Sequence, residues 1–296
     1  MTLAEDLGAR AGIALEARGL SKHYRGLKAL DDCTFTLPAG GVVALVGANG
    51  AGKSTLMSIV SGMLKPTSGE FRVGGDGPAG SRVVLLSQDK PLYRNFSVTD
   101  MLNFGRHTNH VWDQHRALSW LERFHIPVDR RCDKLSGGQQ AQVALAVALG
   151  ACPSLLLLDE PLANLDPVAR NAVTGELLGE VAETGMTVVL STHVVAELAG
   201  VGDYLLLLSH GRNIVDSDVE ELLAQHARVT GPRADRPPLD GTVVHEHHTD
   251  RQSTFVVRTL LGPATHIDVP GWTSHSVSLE DIVLAYLKTS IGEVGL

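Results

Sequence analysis

Gly47, Gly52, Lys53 and Ser54 stand at the spacing G-x-x-x-x-G-K-S/T, inside the run from Leu45 to Thr55. Those residue types suit one kind of chemistry. Glycines let a backbone wrap a polyphosphate so that its N–H groups, and the N-terminus of the helix that follows, face negative charge. Lys53 would reach the β- and γ-phosphates, and the Ser54 hydroxyl would ligate Mg²⁺. A Gly-rich turn that merely joins strand to helix needs neither the lysine nor the serine. Further along, the four leucines from Leu155 to Leu158 run into Asp159 and Glu160. Two carboxylates then sit at the carboxyl edge of a parallel sheet, one able to hold the metal and the other to orient or deprotonate water. His193 ends a β-branched run at the same edge, where a γ-phosphate contact is expected and a purely structural histidine is the alternative. Gln88 ends another strand. Leu135-Ser136-Gly137-Gly138-Gln139 opens a helix and is a second candidate anion site. Tyr24 offers a ring on which adenine could stack, an interaction worth about 1–3 kcal/mol.

These residues need a scaffold, and the hydrophobic pattern predicts it. The apolar run from Val42 to Val46 reads as a buried strand and Ser54 to Val60 as a helix. Between Ile13 and Leu37 short β-like runs alternate with turns, and Tyr24 falls in a loop. Val98 to Phe104 and Asp113 to Phe124 read as helices of an insertion, with Trp112 and Trp120 as packing residues. Helices follow over Gln140 to Leu149 and Val168 to Glu183, with a tight turn at Asn164-Leu165-Asp166-Pro167 between them. A hairpin spans Tyr204 to Val215, and a helix runs from Asp218 to Gln225. Val229 to Leu239, rich in Pro, Gly and Arg, reads as an exposed linker. Two strands, Thr242 to Val244 and Thr254 to Val257, and an amphipathic helix from Leu279 to Leu287 come after it. His245, His247 and His248 could bind metal, but no Cys or spaced acidic partner completes a set, so a solvated hairpin is the preferred reading.

Composition narrows the classes. The chain has 296 residues, 44% of them hydrophobic and 20% charged, enough for one large or two modest globular domains. A net charge of −8 gives no overall attraction to nucleic acid or anionic lipid. Cys33, Cys132 and Cys152 have neither disulfide-framework nor metal-ligand spacing, so reduced cytoplasmic thiols are expected. The first dozen residues read as an N-terminal arm without a secretory signal. No apolar run approaches the roughly 20 residues of a spanning helix, so a membrane role would act through a partner.

Taken in order, Tyr24, the Gly47 to Thr55 loop, Gln88, the Leu135 to Gln139 pentapeptide, and Leu155 to Glu160 followed by Asp166 and His193 resemble the ATP-binding cassette (ABC) ATPases, over about Leu15 to His226. The resemblance implies an α/β fold: a P-loop NTPase, ABC-type nucleotide-binding domain with a mixed sheet, flanking helices and a helical insertion, plus a small α+β C-terminal domain. The expected division is an arm at 1–12, the nucleotide-binding domain at 13–228 with its insertion at about 89–150, and an extension at 229–296. By position, Tyr24 stacks on adenine, while Gly47, Asn49, Gly50, Gly52, Lys53, Ser54 and Thr55 hold ATP. Ser54, Gln88 and Asp159 serve Mg²⁺. Glu160 is the general base and His193 the γ-phosphate switch, with Lys53 and Gln88 also catalytic. Ser136, Gly138 and Gln139 complete the partner's site in a head-to-tail dimer, across which Asp166 communicates.

The finer resemblance, carried by Trp112-Asp113 and by the stretch from Ser278 to Leu284, is to bacterial drug and antibiotic exporter subunits that energise a separate permease. It implies a homodimer, or a heterodimer with a second cassette, on the inner face of the cell membrane, with no nucleic acid partner. The chain departs from the family pattern at Gln142 and Val147, where arginines are usual, at Asn164 for a small residue, and at Ala48 for proline. Two other classes compete: a soluble cassette protein acting on ribosomes or DNA, and a non-catalytic regulator. The former usually carries two cassettes or a long coiled coil, and the latter has no need of Glu160 with His193. Every phosphoryl-transfer element lies before His226, so truncation at the linker is expected to leave ATP binding intact.

Overall fold

A strand buried on both faces carries apolar side chains at nearly every position. Val42–Val46, Leu155–Asp159 and Tyr204–Ser209 have that composition, Thr187–Thr192 is buried at every position, and the structure places all four side by side. It is a computed structural model that describes residues 12–74, 82–89, 92–163, 165–195, 200–259 and 269–294. The first half of the chain gives β1 (Ile13–Tyr24), β2 (Leu27–Pro38), β3 (Val42–Val46), α1 (Lys53–Val60), β4 (Ser68–Val73), β5 (Val83–Leu86), α2 (Val98–Thr108), α3 (Gln114–Arg123) and α4 (Gly137–Gly150). The second half gives β6 (Leu155–Asp159), α5 (Pro167–Thr184), β7 (Thr187–Thr192), β8 (Tyr204–Ser209), β9 (Arg212–Asp218), α6 (Val219–Gln225), β10 (His226–Pro232), β11 (Thr242–His248), β12 (Gln252–Arg258), β13 (Thr273–Ser276) and α7 (Leu279–Val294).

The central sheet has the order β5-β6-β7-β3-β8-β9, parallel except for β9. Alternate residues along its strands enter different cores, as the two-residue strand period requires. Val42, Ala44, Leu156, Leu158, Val188, Leu190, Leu205 and Leu207 join α2, α3, α4 and α5 on one side. Val43, Leu45, Leu155, Leu157, Val189, Leu206 and Leu208 face α1 and the antiparallel β2-β1-β4 sheet on the other. The fold is thus a mixed α/β P-loop NTPase with helices flanking a central sheet. A smaller α+β domain follows, an antiparallel sheet of order β11-β12-β10-β13 with α7 against it.

Some expectations change. β1 and β2 are continuous twelve-residue strands that pair across several register shifts. Tyr24 is the last residue of β1, paired with Leu27, and does not lie in a loop. The run from Val229 begins as part of β10, with Val229 fully buried. Gly231 there leaves room for the Trp272 ring, which would collide with any Cβ. α7 extends past Leu287 to Val294. Trp112 packs where Gly105 and Gly150 leave space, and Trp120 is fully buried. The N-terminal arm before Gly12 and the turn residue Asn164 lie outside the described residues.

Candidate functional site

β3 delivers the chain into the loop that carries Gly47, Asn49, Gly50 and Gly52, and α1 leaves it with Lys53, Ser54 and Thr55 in its first turn. Two glycines are dictated by space. A Cβ on Gly47 would lie 2.5 Å from the Leu208 carbonyl oxygen, and one on Gly52 2.5 Å from that of Ala29. Gly52 also has φ 107°, a conformation that L side chains rarely adopt. α2, α4 and α5 are capped by the side chains of Ser97, Ser136 and Asp166, whereas α1 has no side-chain cap. Its first N–H groups are therefore left for an anion to satisfy. Lys53 is buried, and its Nζ donates to the carbonyls of Gly47 at 2.6 Å and Ala48 at 3.2 Å. Burial pushes this ammonium down from its ordinary value, and the carboxylates of Glu160 and Asp159 pull it back up.

Those carboxylates stand at the end of β6, where register sets Asp159 opposite Ser191 of β7. Ser191 is fully buried. Its hydroxyl donates to Asp159 Oδ1 at 2.7 Å and accepts the Glu160 N–H at 2.9 Å. Glu160 itself has φ 48°, uncommon for a residue with a side chain, and the Ser191 bond helps fix that turn. The Glu160 carboxylate is held from two sides: His193 Nδ1 donates to Oε1 at 3.0 Å and Gln88 Nε2 to Oε2 at 3.4 Å. A cavity of about 190 Å³ opens beside Glu160, Ser191 and His193. The structure thus gathers Lys53, Gln88, Asp159, Glu160 and His193 at one sheet edge. It adds Ser191, which belongs to none of the sequence motifs.

Other expected site residues lie apart. Ser136 and Gln139 form a reciprocal cap on α4, with bonds of 3.2 and 3.1 Å. Gly138 packs near Leu165, and Asp166 caps α5 by accepting from Val168 and Ala169 at 3.0 Å. Among the described residues no hydrogen bond joins Ser136, Gly138 or Gln139 to the phosphate loop. The Tyr24 ring is exposed, with the Lys22 ammonium 5.4 Å from its centroid. Gln142, where the family pattern has arginine, is buried and accepts the Trp120 indole N–H at 2.9 Å. A neutral bond therefore fastens α4 to α3.

The side chains expected to serve a divalent cation, Ser54, Gln88 and Asp159, carry oxygen donors, which suits a hard ion such as Mg²⁺. The histidines of β11 do not form a metal set: His248 Nδ1 bonds Ser253 Oγ at 2.8 Å. Among the described residues no group of three or more His, Cys, Asp or Glu side chains is placed to hold a metal. No helix among them is long and apolar enough to cross a membrane.

A family model described as ABC transporter matches residues 30–163. A Nod factor export ATP-binding protein I of Sinorhizobium fredii is 32% identical over 268 residues, covering 81% of this chain and 78% of its own. A molybdenum import ATP-binding protein ModC of Mycobacterium tuberculosis is 38% identical over 200 residues, covering 61% of this chain and 54% of its own. Among solved structures, an ATP-binding subunit of an ABC transporter superposes with a TM-score of 0.64 at 27% identity, over 71% of this chain and 91% of its own. The phosphate loop, the paired carboxylates and the likeness to the Nod factor relative along most of both chains lead to one assignment: this chain belongs to the ATP-binding subunits of the ABC transporter family.

Proposed function

We propose that this chain hydrolyses ATP and that hydrolysis drives export through a separate permease. The observation that carries the hydrolytic reading is Glu160, whose carboxylate His193 and Gln88 aim from two sides, one residue beyond buried Asp159. Gly47, Asn49, Gly50, Gly52, Lys53, Ser54 and Thr55 bind the phosphates, and Tyr24 stacks on the adenine. Ser54, Gln88 and Asp159 would hold Mg²⁺, which would neutralise phosphate charge. Ser191 keeps Asp159 oriented. Glu160 takes the proton from the attacking water, and His193 positions that carboxylate and meets the γ-phosphate. Ser136, Gly138 and Gln139 of a second cassette close over the nucleotide, and Asp166 lies at that junction. The nucleotide-binding domain spans 13–228 in this reading and the extension 229–296, with β10 crossing the division and Val277, Leu279, Ile282 and Val283 joining the core of the central sheet, and the subunit works at the cytoplasmic face of the membrane.

An exposed aromatic cluster soon after Gln88 supports docking to a permease. Tyr93 lies 5.0 Å from Phe96 and 5.1 Å from Phe104, centroid to centroid, and all three rings are exposed. Export is supported by the likeness to the Nod factor relative and by the stretch from Ser278 to Leu284. Import-named relatives match as well, so a transport assay in inside-out vesicles decides the direction.

The hydrolytic reading is tested with Glu160→Gln, which keeps size but removes the base. The variant is expected to bind Mg-ATP, elute as a dimer in size-exclusion chromatography and release phosphate at a rate lower by roughly 10²–10⁴-fold. Near-normal phosphate release would withdraw the role given to Glu160.

A further inference from the structure

Between α7 and one face of the C-terminal sheet lies a cavity of about 350 Å³, within the roughly 300–1,000 Å³ that holds small organic ligands. Register explains its lining. Arg228 pairs with Val256 and Val256 with His245, so one row across β10, β12 and β11 reads Arg228, Val256, His245. The next row on that face ends in Thr254 and His247. A β-bulge at Val244 lets Val244 pack on Ala285 and Val256 while His245 still lines the cavity. α7 supplies the other wall with Asp281, Leu284, Ala285 and Lys288, at spacings that share one helix face.

The charges are unequal. Arg228 and Asp281 pair at 2.6 Å, which leaves Lys288, in no ion pair among the described residues, and two imidazoles on an apolar floor, in a chain of net charge −8. Burial pushes the His245 imidazole down from its ordinary value; Lys288 and His247 push the same way, and Glu246 opposes them. A negative group in the cavity would supply a countercharge and favour protonated histidine.

We propose that this cavity binds a small organic anion. Its apolar body would rest on Val256, Leu284 and Ala285, and its acidic head, a carboxylate or a phosphate, would face Lys288, His245 and His247. Isothermal titration calorimetry of the full chain with octanoate, octyl phosphate and 1-octanol tests this. One acid-headed probe per chain is expected to bind, and the tighter of the two identifies the head. Octanoate should bind at least about fivefold more tightly near pH 6 than near pH 8. Lys288→Glu, at an exposed position, should abolish binding without loss of fold, and His245→Gln with His247→Gln should remove the pH dependence. Binding of 1-octanol as tight as that of octanoate, wild-type affinity in Lys288→Glu, or no binding by any probe would overturn the proposal.

Discussion

At the scale of single residues, Ser191 and Lys53 allow the proposed metal and nucleotide roles to be tested apart. Ser191→Ala removes the hydroxyl that orients Asp159 and receives the Glu160 N–H. Loss of such an outer partner typically costs about 10–100-fold in metal affinity. The expected result is a matching rise in the Mg²⁺ needed for half-maximal ATPase, with ATP binding little changed. Lys53→Ala should act on the nucleotide instead, weakening Mg-ATP binding in equilibrium titration so that no closed dimer accumulates. The motif residues were legible because their types and spacing are local to the chain. Ser191 was not, because its partner Asp159 lies on another strand and only sheet register brings the two together.

At the scale of elements, ion pairs of different burial tie α3 to α5. Arg116 Nε meets Glu180 at 2.6 Å, with side chains only 11% and 5% exposed, while Arg123 meets Glu176 at 2.6 Å with side chains 39% and 38% exposed. Removing one member of a buried pair costs about 3–5 kcal/mol, whereas exposed pairs are worth roughly 0–1 kcal/mol. Glu180→Ala should therefore lower the urea midpoint far more than Glu176→Ala. Gln142→Leu should strand the Trp120 indole N–H, costing about 1–3 kcal/mol in the same measurement. Runs such as Leu155–Asp159 announced themselves as buried strands. β10 hid because Gly231 and Pro232 resemble linker residues, and Gly231 owes its place to the Trp272 ring, which comes from far along the chain. β1 and β2 read as fragments because irregular register interrupts their alternation.

For the whole molecule, the expectation that truncation at residue 229 leaves ATP binding intact needs revision. Val277, Leu279, Ile282 and Val283 are buried in the same core as Leu205 and Leu207 of the central sheet. Each is worth on the order of 1.5–3 kcal/mol, against a total stability of about 5–15 kcal/mol for a typical domain. The fragment ending at 228 should lose its cooperative urea transition, and Ile282→Ala alone should cost about 2–5 kcal/mol.

Acid should loosen the same junction. His226 is buried, donates from Nδ1 to the Leu222 carbonyl at 2.7 Å, and so accepts the Tyr286 hydroxyl at Nε2, 3.1 Å away. Burial pushes its pKa down from 6.5; the Leu222 bond opposes this, and Arg258 adds to it. Well above pH 6.5 both folded and unfolded chains hold it neutral, and it contributes no slope. As pH falls below that, the unfolded chain takes up the proton first, and stability declines until the folded-state pKa is passed. Urea midpoints measured across that window should fall more steeply for the wild type than for His226→Asn.

The placement of α7 also orders the birth of the protein. A nascent chain makes β3, α1, β6, β7 and β8 well before the helix that follows β13, so one flank of the central-sheet core stays open while the second sheet is being synthesised. Leu205 and Leu207 then wait on a distant segment, a long-range closure of the kind that slows folding and leaves apolar surface exposed to chaperones. A subunit whose translation stalls within β10 to β13 would already carry every residue proposed to bind phosphate, yet it would present itself to quality control as unfinished.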